Sequence, residues 1–155
     1  MTRNTAREIA VHLAYELSFS ELPVDEFLDQ QLSPEVFADL AGEYDLYNEL
    51  PNEKQRLYIR RLVSGVSEHA AELDSYIEKY AQGWRFERIS LVASAIMRVA
   101  MFEILYMPDI PHGGWRSASF LFFGQDIMLS IVLRLVAWSV DMAYAHLYIA
   151  VFCVS

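Results

Sequence analysis

Ile89-Ser90-Leu91-Val92-Ala93-Ser94-Ala95-Ile96-Met97-Arg98-Val99-Ala100-Met101-Phe102-Glu103-Ile104 decides the fold class. Ile89, Val92, Ala93, Ile96, Val99 and Ala100 recur at the spacing of one helix face, and Met97, Met101 and Ile104 widen it. So broad an apolar stripe implies a deeply buried helix. Pro108 and Pro111 stop it, because proline lacks the amide donor and restricts the residue before it.

The segments before this helix read the same way. From Glu53 the residues Tyr58, Leu62, Val66, Ala70, Leu73 and Ile77 fall at spacings of four and three, predicting one long helix capped by Asn52 with Gln55 three residues on. Gly83 interrupts after Tyr80. Near the start, Thr5 and Glu8 suggest a capping box ahead of Ile9, Leu13 and Leu17, a helix ending near Ser18. Pro23 opens a segment carrying Val24, Phe27, Leu28 and Leu32, and Ser33-Pro34 restarts the pattern for Val36, Phe37 and Leu40. Residues 41–52 hold Gly42, Asn48, Pro51 and Asn52 and show no period, so they read as a solvated surface loop. Strand signals are scarce, and the predicted class is all-α.

A chain of 155 residues with 54% hydrophobic content is long enough for one well-buried core. Twelve basic residues stand against 21 acidic ones, a net charge of -9 that opposes non-specific attraction to phosphates. A nucleic-acid-binding protein of this composition needs help from a partner. The single cysteine, Cys153, excludes an intramolecular disulfide and a thiol metal cluster, which fits a reducing cytoplasm. Glu8 comes before any apolar run, so the order of a secretory signal is absent.

Charge divides the chain into residues 1–111 and residues 112–155. After Pro111 the only charged side chains are Arg116, Asp126, Arg134 and Asp141, in an apolar segment of helical character. Leu135 to Val154 has the length of a membrane span, but Asp141 near its middle costs about 2.5–3.5 kcal/mol on insertion scales. Trp138, Tyr144 and Tyr148 are spread through it instead of sitting at its ends. The expectation is a tail that covers the core or drives aggregation, and no membrane association.

Three segments together resemble the NusB family over residues 1–111. The first is Ala6-Arg7-Glu8-Ile9-Ala10-Val11 with Ala14-Tyr15, and the second is Tyr58-Ile59-Arg60-Arg61-Leu62-Val63-Ser64-Gly65-Val66, continuing to Leu73-Asp74 and Ile77. The third is Trp84, Arg88-Ile89 and Ala95-Ile96-Met97-Arg98-Val99-Ala100-Met101-Phe102-Glu103-Ile104, similar to the family's Ala-Ile-Leu-Arg-x-Ala-x-x-Glu-Leu helix. The resemblance implies two packed helical subdomains. It also implies a transcription antitermination factor that binds boxA RNA with the small-subunit ribosomal protein NusE, within the RNA polymerase antitermination complex on ribosomal RNA genes. Members occur as monomers and as homodimers. NusB-like domains also serve as RNA-docking modules of ribosomal RNA methyltransferases, the alternative reading for this chain. From His112-Gly113-Gly114-Trp115-Arg116 onward the family's C-terminal pattern is missing, as a shifted reading frame or a misassembled gene would produce.

Candidate RNA contacts are Arg3 and Arg7, at the start of the first helix where free backbone amides also attract phosphate. Arg60, Arg61, Arg85 and Arg88 are more ordinary helix-surface charges. By resemblance Tyr15 and Glu87 face the ribosomal protein, a phenol supplying apolar area and a carboxylate accepting from a basic partner. Glu8, His12 and Glu16 lie four apart on one helix face, yet without further ligands they read as surface residues, so no metal is expected. Met97 and Met101 read as core filler and not as contacts to a cofactor, and no cofactor is expected. Phosphate-loop, dinucleotide, nucleophile-elbow and metalloprotease motifs are absent, and the chain is read as a non-enzyme.

Overall fold

Thr2, not Thr5, caps the first helix. In the computed structural model, which describes residues 1–80 and 89–110, helix α1 runs Arg3–Leu17 and the Thr2 hydroxyl accepts from the Thr5 amide at 3.1 Å. The Thr5 hydroxyl is itself hydrogen-bonded to that of Thr2 at 2.8 Å. The Thr5–Glu8 box expected from sequence is thereby displaced by one turn. Helix α2, Val24–Gln31, follows Pro23, and α3, Pro34–Leu40, starts behind Ser33, whose hydroxyl caps Val36.

Residues 41–52 are mostly exposed, as the solvated loop predicted for them requires, but Tyr47 and Pro51 are buried. A 3-10 turn, Asp45–Tyr47, turns Tyr47 inward to 4% exposure, its ring edge-on to Phe37 at 5.1 Å. One buried aromatic in an aperiodic segment leaves no repeat to read. Helix α4, Glu53–Glu68, then opens on the predicted capping box, with Asn52 accepting from the Gln55 amide at 3.0 Å and Gln55 from the Asn52 amide at 2.8 Å.

The single long helix expected from residue 53 onward is two helices. α4 ends at His69, which sits at φ −101° and ψ 13°, and α5 runs Ala70–Tyr80. The His69 ring lies 4.4 Å from that of Tyr106, and its Nδ1 donates to the Glu72 carboxylate at 3.1 Å. Because Val66, Ala70 and Leu73 keep helical spacing across the break, periodicity does not register it. Helix α6, Leu91–Tyr106, is capped by Ser90 and is the apolar helix anticipated above.

Helix α1 packs on α4 and α6, and α6 also packs on α4 and α5, while α2 covers α1 and α4. A continuous apolar core joins Ile9, Leu13, Leu28, Phe37, Leu62 and Met101. Gly65 allows α4 and α6 to approach closely, since a Cβ there would lie 1.9 Å from the Phe102 ring. Arg98 grips Asp74 through Nε at 2.7 Å and Nη2 at 2.8 Å, tying α6 to α5. Among the described residues the secondary structure is six α-helices and one 3-10 turn, with no strand, so the chain is all-α. No described helix is long and apolar enough to cross a membrane. The Gly83 interruption, Trp84 and the apolar segment 112–155 lie outside the described residues.

Candidate functional site

The first two turns of α1 place Arg3 and Arg7 differently. Arg3 is exposed, whereas Arg7 is 2% exposed and reaches through the core edge to α6. Its Nε donates to Glu103 Oε2 at 2.8 Å and its Nη2 to Oε1 at 3.0 Å, a bidentate pair, while Nη1 donates to Asn4 Oδ1 at 2.8 Å. Tyr58 on α4 donates its hydroxyl to Glu103 Oε1 at 2.5 Å. Three helices therefore meet on one carboxylate that is fully buried.

A buried charge is tolerable when it is paired and hydrogen-bonded, and each partner here is both. Burial pushes the Arg7 guanidinium towards deprotonation, but hydrogen bonds and charge from Glu103 outweigh it and hold its pKa above the ordinary value. Burial, reinforced by Glu103, pushes the Tyr58 phenol well above the usual tyrosine range. The network is a fixed anchor for the start of α1. It leaves Arg3 as the cation of this pair that faces solvent.

Two turns along α1, Tyr15 is half-buried and meets the ring of Phe19 edge-on at 5.2 Å. Phe19 is 62% exposed and Leu22 is 40% exposed, so an apolar surface continues beyond the end of the helix. Glu87, the other residue expected to face a partner, lies outside the described residues. On another part of α1, His12 Nδ1 is 3.4 Å from the Tyr47 hydroxyl. Burial raises the pKa of Glu16, against a smaller lowering by His12. Burial, with Glu16 and Tyr44 adding to it, pushes the Tyr47 phenol up to about 12. Among the described residues no group of three His, Cys, Asp or Glu is arranged to hold a metal ion.

This arrangement can offer a cation to a phosphate and an aromatic surface to a protein. Its one buried carboxylate is committed to Arg7 and Tyr58, so it has no place as a general base. Periodicity alone does not reveal the Glu103 network, although the sequence carries a signal for it. Glu103 is the only carboxylate in Leu91–Tyr106, and a carboxylate inside an apolar stripe requires a cationic partner from elsewhere.

A family model described as NusB family matches residues 4–114. The transcription antitermination protein NusB of Acetivibrio thermocellus is 37% identical over 111 residues, covering 72% of this chain and 67% of its own length. The protein of that name from Bacillus subtilis is 32% identical over 111 residues, covering 72% and 71%. That of Carboxydothermus hydrogenoformans is 36% identical over 110 residues, covering 71% and 70%. No solved structure matches the chain.

Proposed function

The chain belongs to the NusB family, and from that membership we propose that it acts in transcription antitermination by binding boxA RNA together with the ribosomal protein NusE. Arg3 contacts phosphate from the exposed start of α1, while Arg7 serves the same surface by anchoring that helix to Glu103 and Tyr58. Tyr15, with Glu87, docks the ribosomal protein. With a net charge of -9 the chain gains little from long-range attraction to RNA, so a basic partner that supplies positive charge fits its composition. Residues 1–111 form the working helical domain, and residues 112–155 are an apolar segment of separate origin. The complex operates on RNA polymerase in the cytoplasm, and a homodimer is the resting alternative to the heteromeric complex.

The observation that carries this reading is an exposed cation, Arg3, at the start of a helix anchored by a buried three-helix network. Gel filtration of the chain with NusE, followed by a mobility shift on boxA RNA, tests it. Co-elution and a shift that requires both proteins are expected. A folded chain that forms neither complex defeats the proposal.

A further inference from the structure

Eight basic side chains belong to the described residues: Arg3, Arg7, Lys54, Arg56, Arg60, Arg61, Lys79 and Arg98. Arg7 pairs with Glu103, Arg60 with Asp29, Arg61 with Asp109 and Arg98 with Asp74. Lys79 is also engaged. The remaining three, Arg3, Lys54 and Arg56, take part in no ion pair among the described residues. Shortage of partners does not explain this, because acidic residues outnumber basic ones by 21 to 12 across the chain.

The three lie at one end of the bundle. Lys54 and Arg56 are in the first turn of α4, and Gln55 between them donates through Nε2 to the Met1 carbonyl at 2.6 Å, two residues from Arg3. Arg3 is close enough to Tyr58 for its charge to act on the phenol, and Tyr58 sits one helical turn above Lys54 on the same face. Arg3 and Lys54 are exposed, and Arg56 is partly so. Of the carboxylates beside them in the chain, Glu49 is committed to the Met1 amino group and Glu53 is exposed at the start of α4.

We propose that Lys54 and Arg56 extend the RNA-binding surface from α1 onto the first turn of α4, where with Arg3 they contact the phosphates of a single-stranded RNA. This rests on the RNA-binding reading above. A net-acidic protein that holds three cations without an ion pair, among the described residues, at one end of its bundle concentrates positive potential where a polyanion can use it. Phosphate contacts of this kind hold the strand without reading its sequence.

The test is fluorescence anisotropy of labelled single-stranded boxA RNA, titrated with the full chain and NusE over a series of salt concentrations. Each phosphate contact to a single strand contributes about 0.7 to the slope of log affinity against log salt. The Lys54→Gln/Arg56→Gln variant is therefore expected to flatten the slope by about 1.4 and to weaken boxA and scrambled RNA by similar factors. The charge-retaining Lys54→Arg/Arg56→Lys variant should restore the parental slope, and Lys79→Gln on α5 should leave it unchanged. Circular dichroism melting of each variant separates a lost contact from a lost fold. A folded Gln variant with the parental slope overturns the inference and leaves the RNA-binding reading intact. A parent chain that binds no RNA even with NusE overturns both.

Discussion

Replacing Glu103 by glutamine should be among the most damaging conservative changes in this protein. The substitution keeps the volume and removes the charge, so the Arg7 guanidinium, at 2% exposure, loses the carboxylate of its bidentate pair. Breaking a buried ion pair from one side costs about 3–5 kcal/mol. The Tyr58 hydroxyl also exchanges a charge-assisted bond for a neutral one. Against a typical domain stability of about 5–15 kcal/mol, the lower figure is already a large fraction. With a urea dependence of about 2 kcal/mol/M, a loss of 3 kcal/mol moves the midpoint down by about 1.5 M. Urea denaturation followed by far-ultraviolet circular dichroism reads this directly. The double variant Arg7→Met/Glu103→Leu removes both desolvated charges and should recover much of the loss, giving a coupling energy of about 2 kcal/mol or more when measured against the single variants Arg7→Met and Glu103→Leu. A single variant that shifts the midpoint by less than about 0.5 M, with additive effects in the double, would refute the network as the anchor of α1.

Gly65→Ala gains about 1 kcal/mol of helix propensity but drives a methyl into the Phe102 ring, which is stacked on Tyr106 at 5.0 Å. Overpacking costs about 1–3 kcal/mol, so a lower melting temperature is expected, and an unchanged or raised one would show that Phe102 can move freely. Tyr47 and Tyr106 are both raised to about 12 from an ordinary value of 10.0, for each chiefly by burial, and Tyr106 is further raised by its hydrogen bond to Glu72. Because the unfolded chain releases these protons first, the stability they contribute is full below about pH 10 and is lost as pH rises through about 12. Tyr47→Phe should flatten the decline of the urea midpoint across that window, and an identical profile would count against the assignment. Tyr15→Ala and Phe19→Ala should each weaken co-elution with NusE, and Phe19→Ala should do so with little change in melting temperature, since Phe19 is 62% exposed. Undiminished co-elution of both would move the docking surface elsewhere.

Most of the fold was legible because its helices carry local signals. Asn52 with Gln55, Ser33 before Pro34, and the stripe from Val92 to Ile104 each mark an element by residues within a few positions of one another. What escaped were features made by contacts across the chain. Tyr47 is buried by Phe37, ten residues away, and the α4–α5 break centres on His69, whose ring meets Tyr106. The Thr2 cap was missed for a different reason. Thr5 has Glu8 three residues on and so matches the capping-box pattern, whereas Thr2 does not, and only the hydroxyl-to-amide geometry shows that Thr2 is the cap.

The site was legible in part, and the part that was not changes how it works. Sequence alone groups Arg3 with Arg7, because both are basic and both sit in the first two turns of one helix. The structure separates them by burial, and burial decides what an arginine can do. A guanidinium that has exchanged water for a carboxylate has its donors committed, so its contribution to a surface is rigidity. An exposed one retains its donors and its long-range field. The acidic composition adds a constraint of its own. Where carboxylates are in excess, a cation left unpaired is available to an outside anion, and Arg3, Lys54 and Arg56 have no ion pair among the described residues at one end of the bundle. On the proposed RNA-binding reading, recognition depends less on how many basic residues the chain carries than on which ones its own carboxylates have left free.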